Sequence, residues 1–186
     1  MSHTPASAIH IDTAGLASPA QYLLSPNQDE RPPPAEVDMI VIHNISLPPN
    51  QYGGQGIMQL FTNQLDPQAH PYYAEIAHLK VSSHFLIRRT GELLQFVSCN
   101  QRAWHAGLSQ WQGRERCNDF SVGIELEGSD IEAFEDAQYV TLQALIHALR
   151  QRYAIQHIVG HSEIAPGRKT DPGPFFDWQR ISRSTD

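Results

Sequence analysis

Val37-Asp-Met-Ile-Val-Ile-His43 is the stretch on which the fold turns. A continuous apolar, β-branched run of this length suits a strand buried on both faces, and it ends on a histidine. A second run, Phe120–Glu127, alternates instead: Phe120, Val122, Ile124 and Leu126 fall on one side, and Ser121, Gly123, Glu125 and Glu127 on the other. Val81–Arg89 and Glu92–Val97 predict two strands turning at Thr90-Gly91, and Ile155–His161 predicts a further strand. Helical spacing of Tyr139, Leu142, Leu145, Ile146 and Leu149 marks a helix over Glu135–Tyr153, and Gln55–Leu65 predicts a shorter one. Strands interleaved with helices predict an α/β (mixed α+β) class, a central mixed β-sheet flanked by helices. Asp66–Lys80 and Ser162–Pro174 read as loops, and Phe175–Arg183 as a closing helix. Residues 1–36, ending in Arg31-Pro-Pro-Pro34, read as a Pro-rich lead-in that wraps the domain in irregular or polyproline form, with a short strand at Ala8–Ile11. Residues 37–186 read as a single domain.

The chain has 186 residues, and 13 Lys+Arg against 20 Asp+Glu leave a net charge of −7. That balance argues against nucleic-acid or anionic-membrane partners, which need cationic surface. No apolar run approaches the ~20 residues of a membrane helix, and the stretch Met1–His10 lacks the basic and apolar regions of a secretory signal. Cys99 and Cys117 are too few for a disulfide framework, so the expectation is a cytoplasmic, reduced protein. Ten histidines are the unusual feature, because imidazole is the common neutral metal ligand.

Four features fall where strands give way to loops: His43, Glu125, His161 and the loop Arg168-Lys-Thr-Asp-Pro172. A catalytic zinc wants three N or O ligands and one open position, which two imidazoles and the Asp171 carboxylate would supply. Pro172 biases Asp171 toward extended backbone, and Lys169 then shares a side with Asp171. His157 stands four before His161, but along a strand that spacing is ~13 Å, too far to share one metal, so His157 reads as structural. His84 reads as a hydrogen-bonded core or supporting histidine. His105 could line a pocket or simply pack. His3, His10, His70, His78 and His147 read as structural. Glu125 and Glu127 share a face ~6–7 Å apart, either as a general base or as a solvated pair. Cys117, among Arg114, Glu115 and Arg116, has no evident base for thiol catalysis. Gly53-Gly-Gln-Gly56 lacks the Lys-Ser/Thr of a phosphate loop and reads as a mobile loop.

Longer motifs add to this. Val41-Ile-His-Asn-Ile-Ser-Leu-Pro-Pro49, Ala103-Trp-His-Ala-Gly107, Gln112-Gly-Arg-Glu-Arg-Cys-Asn-Asp-Phe120, Gly123-Ile-Glu-Leu-Glu-Gly128 and Arg168-Lys-Thr-Asp-Pro-Gly-Pro174 together resemble the zinc-dependent N-acetylmuramoyl-L-alanine amidases, a family shared with peptidoglycan recognition proteins. The resemblance runs from about Ser25 to Trp178. It implies a zinc groove at one end of the sheet, with His43, His161 and Asp171 as ligands of one Zn2+. It selects Glu125 over Glu127 as catalytic carboxylate, and makes Lys169 the cation near the scissile carbonyl. Asn44, Tyr72, Lys80, Trp104 and Arg116 match groove-lining positions, with Lys80 standing where the family carries arginine, so bidentate carboxylate recognition is lost there. The implied activity is hydrolysis of the amide between the lactyl group of an anhydromuramyl sugar and L-Ala, by a monomer acting on a small muropeptide. The rival expectations are a non-catalytic muropeptide-binding module and an amidase of intact wall peptidoglycan. The resemblance further implies that Tyr52–His78 selects the substrate and moves between closed and open forms.

Overall fold

The computed structural model describes residues 8–181; His3 and the last two residues of the expected closing helix lie outside them. Six strands build one mixed sheet: β1 (Gln21–Tyr22), β2 (Met39–Ile45), β3 (Phe85–Ile87), β4 (Leu93–Gln95), β5 (Ser121–Glu127) and β6 (His157–Gly160), in the order β6-β2-β5-β3-β4-β1. The three strands β6, β2 and β5 run parallel, as does β3 beside β5, while β3 and β4 form an antiparallel hairpin. Met39 to His43 are buried, as the apolar run of β2 requires between two covered faces. At the hairpin, Gly91 takes φ +84°, a backbone conformation open to glycine, and the Arg88 amide donates to the Glu92 carbonyl.

One face of the sheet, carrying Ile40, Ile42, Ile124 and Ile158, is covered by α3 (Asp136–Arg152) through Leu142, Leu145, Ile146 and Leu149. This helix starts on a capping box between Glu135 and Gln138 and ends with Arg150 and Arg152 beside its negative pole. Gln138 also donates to the carbonyls of Ile87 and Glu127, which fastens the helix to the strand ends.

The opposite face carries the site. Part of it is covered by α1 (Gly56–Phe61), whose Ile57, Leu60 and Phe61 pack with Leu65 and Tyr73 against Leu86, Leu94 and Phe96. The expected loop over Asp66–Lys80 contains a further helix, α2 (Pro71–Ile76). His70 caps it by accepting from the Tyr72 amide, and Pro71 occupies the first helical position, where a missing N–H is harmless. The expected loop after His161 likewise opens with a one-turn helix, α4 (His161–Ile164), because Glu163 reaches back to the Gly160 amide. The closing helix is only a 3₁₀ turn over Trp178–Arg180, capped by Asp177. Phe176 is buried against Tyr139 and Phe134, and that anchoring holds the segment in an irregular path.

The lead-in is more regular than a polyproline wrap. His10–Ile11 pairs with Ala17–Ser18, Gln21–Tyr22 is the sheet edge itself, and Gln28–Glu30 pairs with Gln101–Ala103. Arg31 then inserts its guanidinium among the carbonyls of Cys99, Asn118, Asp119 and Ser121. A fork of five donors suits a spot where four carbonyls converge, as a single ammonium would not. Arg31→Met should lower the unfolding free energy by about 2 kcal/mol, because partly buried carbonyls lose their donors. Arg31→Lys should recover only a fraction of that, as read by urea denaturation.

Candidate active site

Register builds the site. In the parallel pairing, Glu125 of β5 lies opposite His43 of β2, and Gly160 of β6 lies opposite Ile42, so His161 comes one step later, beside His43. Strands ~4.8 Å apart therefore place His161, His43 and Glu125 in one row across the sheet, on the face away from α3. Asp171 is brought to the row from its loop because the Ser162 amide donates to its carbonyl. The result is a compact cluster. His43 Nδ1 is 3.0 Å from His161 Nδ1 and 2.9 Å from Asp171 Oδ2, which is 3.1 Å from His161 Nδ1. Among the described residues this is the group of three His, Cys, Asp or Glu side chains that could hold a metal ion.

The protons point the same way. His161 Nε2 lies 3.0 Å from the Ala106 carbonyl, an acceptor, so the ring carries its proton there and its Nδ1 lone pair faces the cluster. Burial pushes the His43 pKa down to about 4 against the pull of Asp171, so this imidazole is neutral at pH 7. Two imidazole nitrogens and a carboxylate oxygen converging at contact distance are a donor set for a divalent cation.

Glu125 and Glu127 share a strand face and have separate fates. Neither is solvated, at 8% and 2% exposure, which overturns the surface reading for both. Glu127 is consumed: it pairs with Arg88 at 3.2 Å and accepts from the amides of Gly53 and Arg89. That pins the start of the glycine loop, as does the hydrogen bond from Arg88 to the Gly54 carbonyl. Glu125 Oε2 is buried with no hydrogen-bond partner among the described residues, and the residue lines an open cavity of about 610 Å³ together with His43, His161 and Asp171. Burial, and secondarily the charge of Asp171, push its pKa well up, with Lys169 opposing.

Of the other expected residues, Asn44, Tyr72, Trp104 and Lys169 line this cavity. Asn44 ties the loop down by donating to Asp130 and to the Pro172 carbonyl, and the Trp104 indole donates to Asp29. Lys80 and Arg116 do not line it. Lys80 is exposed between two lining residues, Leu79 and Val81, and the exposed Arg116 is turned to Asp119 at 3.2 Å. Residues to which motif reading gave no role also gather here. Asp130 accepts from Asn44 and Thr170, and Arg168 donates to the carbonyls of Ala106 and Leu108. The motif marks the loop that holds Arg168 and Thr170 but not these contacts, since their role is to join that loop to its surroundings.

The remaining histidines separate as well. His157 packs its ring against Trp111, apart from the cluster. His105 is in it, 2.9 Å from His43 Nε2. His84 is fully buried and satisfied, accepting from the Gly123 amide through Nδ1 and meeting the Gln101 carbonyl through Nε2. Both cysteines are buried free thiols.

The family model for N-acetylmuramoyl-L-alanine amidase matches residues 33–174. The chain belongs to this amidase family. The amidase is 58% identical over 164 residues to the 1,6-anhydro-N-acetylmuramyl-L-alanine amidase AmpD of Escherichia coli (strain K12), covering 87% of this chain and 90% of the relative. The crystal structure of a selenomethionine AmpD derivative superposes with a TM-score of 0.89 at 56% identity, covering 90% of this chain and 95% of that one. A more distant amidase, AmiD from E. coli, solved with the substrate anhydro-N-acetylmuramic acid-L-Ala-D-γ-Glu-L-Lys, aligns at 28% identity and a TM-score of 0.58, over 94% of this chain and 65% of that one. The amidase fold is thus the mixed sheet with flanking helices expected from the strand and helix pattern.

A pH dependence of stability follows from His84, whose pKa is pushed down to about 3, first by burial and then by the Arg31 charge. A histidine with a depressed folded-state pKa binds its proton in the unfolded chain first, so stability is full above pH ~6.5 and falls as pH drops toward the folded value. Between pH 7 and pH 5 this one group should remove about 2 kcal/mol. Chemical denaturation at both pH values should show His84→Gln losing about that much less over the interval than the unmodified amidase.

Proposed function

We propose that this amidase hydrolyses the amide joining the lactyl group of an anhydromuramyl sugar to L-Ala of a stem peptide, using one zinc ion held by His43, His161 and Asp171. The observation that carries the reading is a three-donor cluster with an unpartnered, buried Glu125 in the next position of the same sheet row. The activity of the relative with 58% identity, and the substrate seen in the more distant amidase, supply the chemistry of the ligand.

Zinc, when bound, supplies Lewis acidity that acidifies water and polarises a carbonyl. Glu125 takes a proton from the attacking water and returns it to the departing amine of L-Ala. Its raised pKa suits both halves, because a more basic carboxylate takes the water proton more readily and the carboxyl so formed keeps that proton until the amine departs. Lys169, on the cavity rim, places a positive charge where the tetrahedral oxyanion develops. Tyr72 and Trp104 offer aromatic walls to a sugar or peptide, and Asn44 holds the loop that carries Lys169 and Asp171 against β2.

Mass spectrometry of anhydromuramyl-tripeptide incubated with the protein tests the reading. Free tripeptide should appear, vanish on chelation and return with added zinc; no release in any arm would leave a muropeptide-binding module as the better description. Glu125→Ala should retain one zinc per chain while losing turnover, and His161→Ala should lose both. Lys169→Ala should reduce kcat by ~10²–10³-fold with a smaller change in KM, the pattern of a lost transition-state stabiliser.

A further inference from the structure

A hydrogen-bond chain runs behind the ligand cluster. The Ser121 hydroxyl donates its single proton to the Cys117 carbonyl at 2.6 Å. Its contact with His105 Nε2 at 3.1 Å must therefore be one in which Ser121 accepts, which puts the His105 proton on Nε2 and leaves Nδ1 bare. The contact between His105 Nδ1 and His43 Nε2, at 2.9 Å, then needs its proton from His43. We propose that His105 is a positioning residue: backed by Ser121, it holds the His43 proton on Nε2 and so turns the His43 Nδ1 lone pair toward His161 and Asp171.

The surroundings are shaped for this arrangement. Gly123 lies within β5, where a Cβ would approach His105 Cγ to 2.6 Å, so the strand omits a side chain at the place the imidazole occupies. From the other side, Asn118 accepts from the amides of His105 and Ala106, fixing the backbone that carries the ring. The His43 and His105 rings meet edge to face with centroids 5.0 Å apart, and among the described residues His105 is the hydrogen-bond partner of His43 Nε2. The same two-ligand logic serves His161, except that there the backbone carbonyl of Ala106 does what His105 does for His43.

This inference rests on His43 being a zinc ligand, and its test separates the two. Long-range ¹H–¹⁵N spectra of the zinc-free protein at pH 8 should show both His43 and His105 protonated on Nε2; a proton on His43 Nδ1 would overturn the proposal whether or not zinc binds. Zinc affinity, by competition with a chelator, should fall ~10–100-fold in His105→Phe, which keeps a ring and removes the acceptor. His105→Asn should recover most of the loss, because its Oδ1 can occupy the place of Nδ1. Equal affinity in His105→Phe and the unmodified protein, or equal loss in both variants, would reduce His105 to a packing residue. If the unmodified protein binds no zinc, the zinc reading fails, and the tautomer measurement still decides the role of His105.

Discussion

Everything at the site depends on the in-register parallel pairing of β6, β2 and β5. Parallel neighbours present side chains of one row to the same face, so the pairing of Glu125 with His43 and of Gly160 with Ile42 decides at once which residues meet. A slip of one residue would carry His43 or Glu125 to the face packed by α3, where Ile40, Ile42 and Ile124 now sit. The apolar rows therefore do two things: they bury the α3 face, and in doing so they align the polar row on the other.

A polar layer lies beneath that row, and its parts are mutually satisfied. Arg31 reaches Ser121 and Asn118 through their carbonyls, Asn118 holds the backbone of His105, and His84 binds the Gly123 amide. Partial satisfaction of such a layer would be costly, since an unpaired donor or acceptor at this depth loses its water without compensation. The lead-in is thus tied to the site by chemistry as well as by strand pairing. Glu127 plays a comparable role toward the glycine loop, which it holds with Arg88. The segment that follows buries Ile57, Leu60, Phe61 and Tyr73, so its attachment to the sheet is apolar over much of its length.

Local pattern was a sound guide wherever the local signal was strong. The run before His43, the alternation over Phe120–Glu127, the hairpin at Gly91 and the seventeen residues of α3 all appear with ends trimmed by a few residues. It failed where an element is short or held from a distance. The helix Pro71–Ile76 is a single cap and a turn and a half, too brief for a period to show. The segment around Trp178 has the composition of a helix, but burial of Phe176 against Tyr139 and Phe134 holds it irregular. The short strand expected at Ala8–Ile11 does appear, at His10–Ile11, whereas Gln21–Tyr22 and Gln28–Glu30 carry no pattern of their own, because their partners lie about seventy residues away.

By itself the sequence determined the residue types available for chemistry, the face each takes along its strand, and, through long motifs, the family. Alternation left Glu125 and Glu127 equivalent, since both fall to the same side, and only the family resemblance preferred Glu125. The tertiary structure supplies the physical distinction, by delivering Arg88 and the Gly53 amide to one and an open cavity to the other. Strand order, the approach of Asp171 and the insertion of His105 behind His43 were likewise decided in three dimensions. The physical reason is common to all of them: periodicity records which way a side chain points, whereas partnership across the sheet depends on which strands pair and in what register.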